Sequence, residues 1–183
     1  PFEEKRWGAT LSGPIIKDRL FFFAGYEETD LPQPFDTGPD GSGLANEVGY
    51  ATQAQFDEFA QIAQDVYGQD VGGYPRVLPN ASERYFGRID AFITDDHRLE
   101  LSYQHLDESF VTSDTGSNNL TGINSFNEQG TLSDYYSARL YSNWTDNFST
   151  EIRISRSDVS DRQGPFGFNE AQEADPTPRL VVG

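Results

Sequence analysis

The chain has neither cysteine nor methionine in 183 residues. Without cysteine, disulfide staples, thiolate metal sites and cysteine nucleophiles are excluded, so neither a disulfide-framed secreted fold nor a zinc ribbon is available. No run approaches the roughly 20 consecutive apolar residues of a membrane-spanning helix. No charged-then-apolar leader opens the sequence, which starts on a strand-like stretch from Arg6 to Gly13. Together these features point to an internal segment of a longer polypeptide. Basic residues are also scarce: 13 Lys and Arg face 30 Asp and Glu, a net charge of −17. Nucleic acid is therefore not expected as a partner, because neutralising phosphates takes clusters of Lys and Arg.

What the chain does have is rings. With 14 Phe and 9 Tyr, aromatics reach 14% in a sequence that is only 36% hydrophobic, a balance that suits strands and interfaces better than a helical core. Three tight turn signals, at Gly13 to Asp18, Asp95 to His97 and Thr145 to Asn147, each join two alternating segments. The stretches between these hairpins are long and polar. A soluble sandwich keeps its connections short at both ends, whereas a transmembrane barrel has short turns on one side and long loops on the other.

The predicted hairpins span about 6–28, 84–110 and 133–158, and the long loops 30–82, 110–130 and 161–183. In the first hairpin Trp7, Ala9 and Leu11 alternate with Arg6, Thr10 and Ser12, which is period two. Its return arm is apolar on both parities, and Phe22 and Tyr26 are assigned to the apolar face because the other parity ends on Glu27. The second hairpin places Tyr85, Ile89, Ile93, Leu99, Leu101 and Tyr103 on one face and Arg88 and Asp90 on the other, with Phe92 an exception on the polar side. The third places Tyr136, Leu140, Trp144, Phe148, Ile152 and Ile154 opposite Arg139, Glu151 and Arg153. Each arm has about the 9–11 residues of a tilted strand that crosses a bilayer. Within the first loop Phe56, Phe59, Ile62, Ala63 and Val66 recur at helical spacing, predicting an amphipathic helix over Thr52 to Tyr67 ended by Gly68.

The stretch Thr10-Leu-Ser-Gly-Pro-Ile-Ile-Lys-Asp-Arg-Leu-Phe-Phe-Phe-Ala-Gly-Tyr-Glu27 resembles a signature of TonB-dependent outer-membrane receptors, in particular the Oar-like group. Arg84 to Tyr103 is similar to a recurring barrel hairpin of that family, in which Arg-x-Asp precedes the turn and His-x-Leu follows it. The resemblance implies an all-β, antiparallel up-and-down transmembrane barrel of roughly 22 strands, of which this segment supplies about six. It further implies a location in the bacterial outer membrane, contact with outer-membrane lipid, and import energised by TonB through a plug domain that this segment lacks. The apolar residues named above would then face lipid, and Arg88, Asp90, Arg139, Glu151 and Arg153 the lumen. A β-rich adhesion or glycan- and cation-binding domain, or a structural envelope component, is the alternative.

No Ser-centred elbow, P-loop or paired-carboxylate motif appears, so an enzyme is not expected. Asp36, Asp40, Gly41 and Glu47 fall at positions 1, 5, 6 and 12 of an EF-hand-like loop, but Gly38 at position 3 offers no ligand. An ordinary Gly/Pro/Asp loop is preferred there to a Ca²⁺ site, and no cofactor is expected. His97 and His105 have no metal or triad partner at a recognisable spacing.

Overall fold

The computed structural model describes residues 3–167. In chain order the elements are β1 (Lys5–Ile16), β2 (Leu20–Asp30), β3 (Gln33–Pro34), β4 (Thr37–Asp40), β5 (Asn46–Thr52), α1 (Gln53–Tyr67), β6 (Val77–Leu78), β7 (Asn80–Phe92), β8 (His97–Thr112), a 3-10 turn (Ile123–Ser125), β9 (Asn127–Thr145) and β10 (Phe148–Pro165). Six strands form one antiparallel sheet in the order β1-β2-β7-β8-β9-β10, so every neighbour is also the next long strand along the chain. The three predicted hairpins are all present. In the first turn Asp18 takes a left-handed φ of 63°, a conformation that a short polar side chain tolerates.

The sheet is not closed. Among the described residues β1 pairs only with β2 and β10 only with β9. The strands are also longer than the alternation suggested. β7 begins at Asn80, β8 runs to Thr112, β9 begins at Asn127 and β10 runs to Pro165, so residues 80–82, 110–112, 127–130 and 161–165 belong to the sheet and not to the loops 30–82, 110–130 and 161–183 that the sequence predicted. Residues 168–183 of that third loop lie outside the described residues.

The two long connections fold into a packed cap. In the first, Thr52 closes a capping box: its Oγ1 accepts from Gln55 N, while Gln55 Oε1 accepts from Thr52 N. Gly68 ends the helix in the left-handed region at φ 66°. Phe56 and Ala63 are buried against Val71, with Phe59, Ala60, Tyr74 and Leu120 packed around them. Ile62 and Val66 depart from the prediction, for they are 48% and 67% exposed. At 3.6 residues per turn they lie well around the helix from Phe56, Ala60 and Ala63, so the cap covers only part of the apolar stripe.

Leu120, from the second connection, completes that cluster, and a second cluster joins Leu78, Val111 and Phe126 with Phe35 and Ile123. Backbone bonds Ile123 N to Gly73 O (2.8 Å) and Asn124 N to Val71 O (3.3 Å) tie the loops together. Gly122 lies so close to the Val71 carbonyl that a Cβ there would overlap it. Gly122→Ala should therefore destabilise the cap by about 1–3 kcal/mol, as overpacking does. Gly49→Ala, whose Cβ would meet nothing within 4 Å, should change little, and amide hydrogen exchange of residues 70–74 reads the difference.

Candidate lipid-facing surface and its loop cap

Cross-strand register decides which side chains share a face, because directly paired residues point the same way. One row runs Gly13, Phe22, Ile89, Leu101, Ala138, Ile154 across all six strands. The next row toward the turns holds Leu20, Ala91, Leu99, Leu140 and Ile152. In the other direction come Leu11, Ala24, Gly87, Tyr103, Tyr136 and Arg156, then Ala9, Tyr26, Tyr85, His105, Asp134 and Asp158. Trp7 follows, opposite Glu28. Trp144 donates from Nε1 to Thr150 Oγ1 at 2.9 Å on this same face, and Phe148 stands beside the turn between β9 and β10. The predicted apolar residues on the strands are thus collected on one side of the sheet, while Ile93 lies past the end of β7 in the turn.

That side carries rings at both ends of its aliphatic band. At the turn end His97 stacks on Trp144 with centroids 5.0 Å apart. At the cap end Trp7, Tyr26 and Tyr85 form a ladder at 4.8 and 5.1 Å, and Tyr103 lies 5.0 Å from Tyr136. Their hydroxyls reach acids: Tyr26 and Tyr85 both donate to Glu83 Oε1, at 2.7 and 2.5 Å, and Tyr103 donates to Asp134 Oδ1 at 2.7 Å. His105 Nδ1 sits 2.8 Å from the same Asp134 oxygen. His105 therefore has a partner that spacing along one strand could not reveal, since the β8–β9 register supplies it. One row further on, Glu28, Glu83 and Asp107 stand directly opposite one another, and Asp107 is ion-paired with Arg162.

The opposite face is polar and tightly paired. Arg88 forks onto Asp90 with two contacts of 2.8 Å and reaches Glu100 at 3.0 Å. Arg98 lies 4.4 Å over the Tyr141 ring, and Arg139 donates to Tyr141 Oη at 2.7 Å while pairing with Glu151 at 3.4 Å. Arg153 donates to Tyr135 Oη at 2.6 Å. Arg88, Asp90, Arg139, Glu151 and Arg153 are thus on one face, as their alternation implied. Arg98, Glu100, Tyr135 and Tyr141 join the same network but were not singled out in the sequence; the parity of β8 and β9 carried that signal. Four rings also interrupt this face, with Phe21 against Phe92 at 6.1 Å and Phe23 against Phe86 at 5.6 Å.

In the cap, Tyr50 Oη donates to Gly116 O at 2.7 Å and Asn119 O at 2.8 Å, and the desolvation of this phenol raises its pKa. The EF-hand-like loop is a folded turn. Glu47 Oε1 accepts from Gly43 N at 2.7 Å, and Asp36 O accepts from Asn46 N at 2.8 Å. Among the described residues no group of three or more His, Cys, Asp or Glu is arranged to hold a metal ion. No helix there is long and apolar enough to cross a membrane, which says nothing of strands. Comparison of the chain with protein-family models, with curated proteins and with solved structures gave no match.

Proposed function

We propose that this chain is part of the wall of an outer-membrane transport receptor of the TonB-dependent, Oar-like kind, with its apolar face toward lipid and its cap outside the cell. One observation carries the reading. At three places on the central strands an apolar residue is more exposed than the polar side chain next to it: the residues Ile89, Leu101 and Tyr136 are 40%, 41% and 45% exposed, while the side chains of Asp90, Glu100 and Arg139 are 20%, 13% and 28% exposed. Water-soluble sheets do the reverse, while a barrel presents apolar groups to the bilayer and polar groups to its lumen.

Dimensions and chemistry agree with this. From His97 to Tyr103, the last row on this face without an acid, the strand rises about 20 Å. The rows of rings and acids out to Asp107 bring the rise to about 34 Å, which at a tilt of about 45° spans roughly 24 Å, close to the height of the band and its girdles in outer-membrane barrels. Rings flank that band at both ends, at the depth where an aromatic girdle meets the headgroups. The paired Arg and acid lattice then lines the lumen, where water and ion pairs satisfy it. Two open edges need strands on either side, because every backbone group in hydrocarbon must be paired. The cap captures a nutrient or macromolecular ligand, and import depends on TonB acting through a plug carried elsewhere in the polypeptide.

Envelope fractionation of the full-length protein tests this. It should stay with the outer membrane through salt and alkaline-carbonate washes and need detergent for release. Recovery in buffer without detergent would overturn the proposal in favour of a β-rich adhesion or glycan- or cation-binding domain, or of a structural envelope component.

A further inference from the structure

Among the described residues, helix α1 presents an unpaired combination of charge and apolar surface. Ile62 and Val66, one turn apart, are 48% and 67% exposed. Glu58 and Asp65, both exposed, stand one turn from Ile62 on the flank of this strip. The helix carries Asp57, Glu58 and Asp65 and no Lys or Arg at all, and its last turn has no basic residue. An acid near the C-terminal end of a helix meets the negative end of the macrodipole, so Asp65 sits where a cation is favoured. Little else in the first connection relieves this, for Arg76 is the only Lys or Arg between Asp30 and Ser82.

We infer that this face of α1 is a docking surface for a cationic amphipathic peptide, which sets its apolar side chains on Ile62 and Val66 and its Lys or Arg groups against Glu58, Asp65 and the helix C-terminus. Charge complementarity selects this occupant. An acidic or neutral apolar partner would leave the carboxylates facing repulsion or desolvation without a counter-charge, which disfavours it. A second copy of the helix would bring like charges together. Both Ile62 and Val66 point away from the cap core, so their exposure has no role in folding the cap.

The inference concerns the loop cap and does not depend on which face of the wall meets lipid. The full-length protein, held in nanodiscs or in buffer as fractionation dictates, is titrated with a fluorescently labelled synthetic peptide of Lys and Leu at helical spacing. Saturable binding that weakens as salt is raised is expected, because the steering charges are exposed. Ile62→Ser with Val66→Ser should weaken it about tenfold, and the isosteric pair Glu58→Gln with Asp65→Asn by a similar factor with a shallower salt dependence. All four positions are exposed, so retained circular dichroism is expected. The inference is overturned if the Ser variant binds as tightly as the parent, if a Lys and Ser peptide of equal charge binds equally well, or if no saturable binding occurs. A membrane-fractionation failure with peptide binding intact would sink the wall proposal alone.

Discussion

In the proposed barrel wall, Leu101→Arg should cost about 2–4 kcal/mol of folding free energy in a bilayer, the penalty for a cation on a lipid face near mid-membrane. Leu101 lies in the row of Ile89 and Ala138, on a central strand and inside the band bounded by the two sets of rings. Gln104→Arg, three residues along the same strand but on the polar face beside Phe86 and Tyr135, should stay within about 0.5 kcal/mol. Reversible urea unfolding of the full-length protein in lipid vesicles compares the two. If Leu101 faced water, its replacement would be as mild as that of Gln104, and that outcome would contradict the lipid-facing assignment.

The second large effect is in the cap. Phe126 is fully buried, in contact with Leu78, Val111, Phe35 and Ile123, with the Phe35 ring edge-on at 5.5 Å. Phe126→Ala should remove about 3–5 kcal/mol of packing. Because the cap has its own small cores, the loss should appear as local opening and not as collapse of the sheet. Amides bonded across the neck of the cap, Val111 N to Pro79 O and Leu31 N to Asn80 O, should exchange much faster, and proteases should cut within 113–122. Unchanged exchange at these amides would show that the loops do not depend on this core.

Strand hairpins were legible because period two survives wherever one face is apolar. Tyr85, Ile89 and Ala91 announce their face without knowledge of any partner. β2 was harder: Phe21 and Phe23 fall on the polar face, and the reason is their contact with Phe92 and Phe86 on β7, more than sixty residues along the chain. The outer ends of β9 and β10 were missed because Asn127 to Gly130 and Asp161 to Gly164 are polar or glycine on both faces, leaving nothing to alternate. In α1 five apolar residues at helical spacing cover a wider arc than the cap can bury, and only the packing of Val71 and Leu120 selects Phe56 and Ala63. His105 and Asp134 meet through strand register, which no local pattern encodes.

The long first connection also has a kinetic side. Four of the five strand pairings join neighbours across tight turns or, for β8 and β9, across residues 113–126. β2 must find β7 across residues 31–79, and closing a loop roughly ten times longer than a tight turn costs about 2 kcal/mol more in chain entropy. Local hairpins form in microseconds, whereas such distant contacts come later. The β1–β2 ribbon should therefore join a pre-existing β7–β10 meander, and the bond between Leu31 and Asn80 at the neck of the cap makes cap folding the event that brings the two together. Assembly of the sheet would then wait on the loops that pack beyond its end.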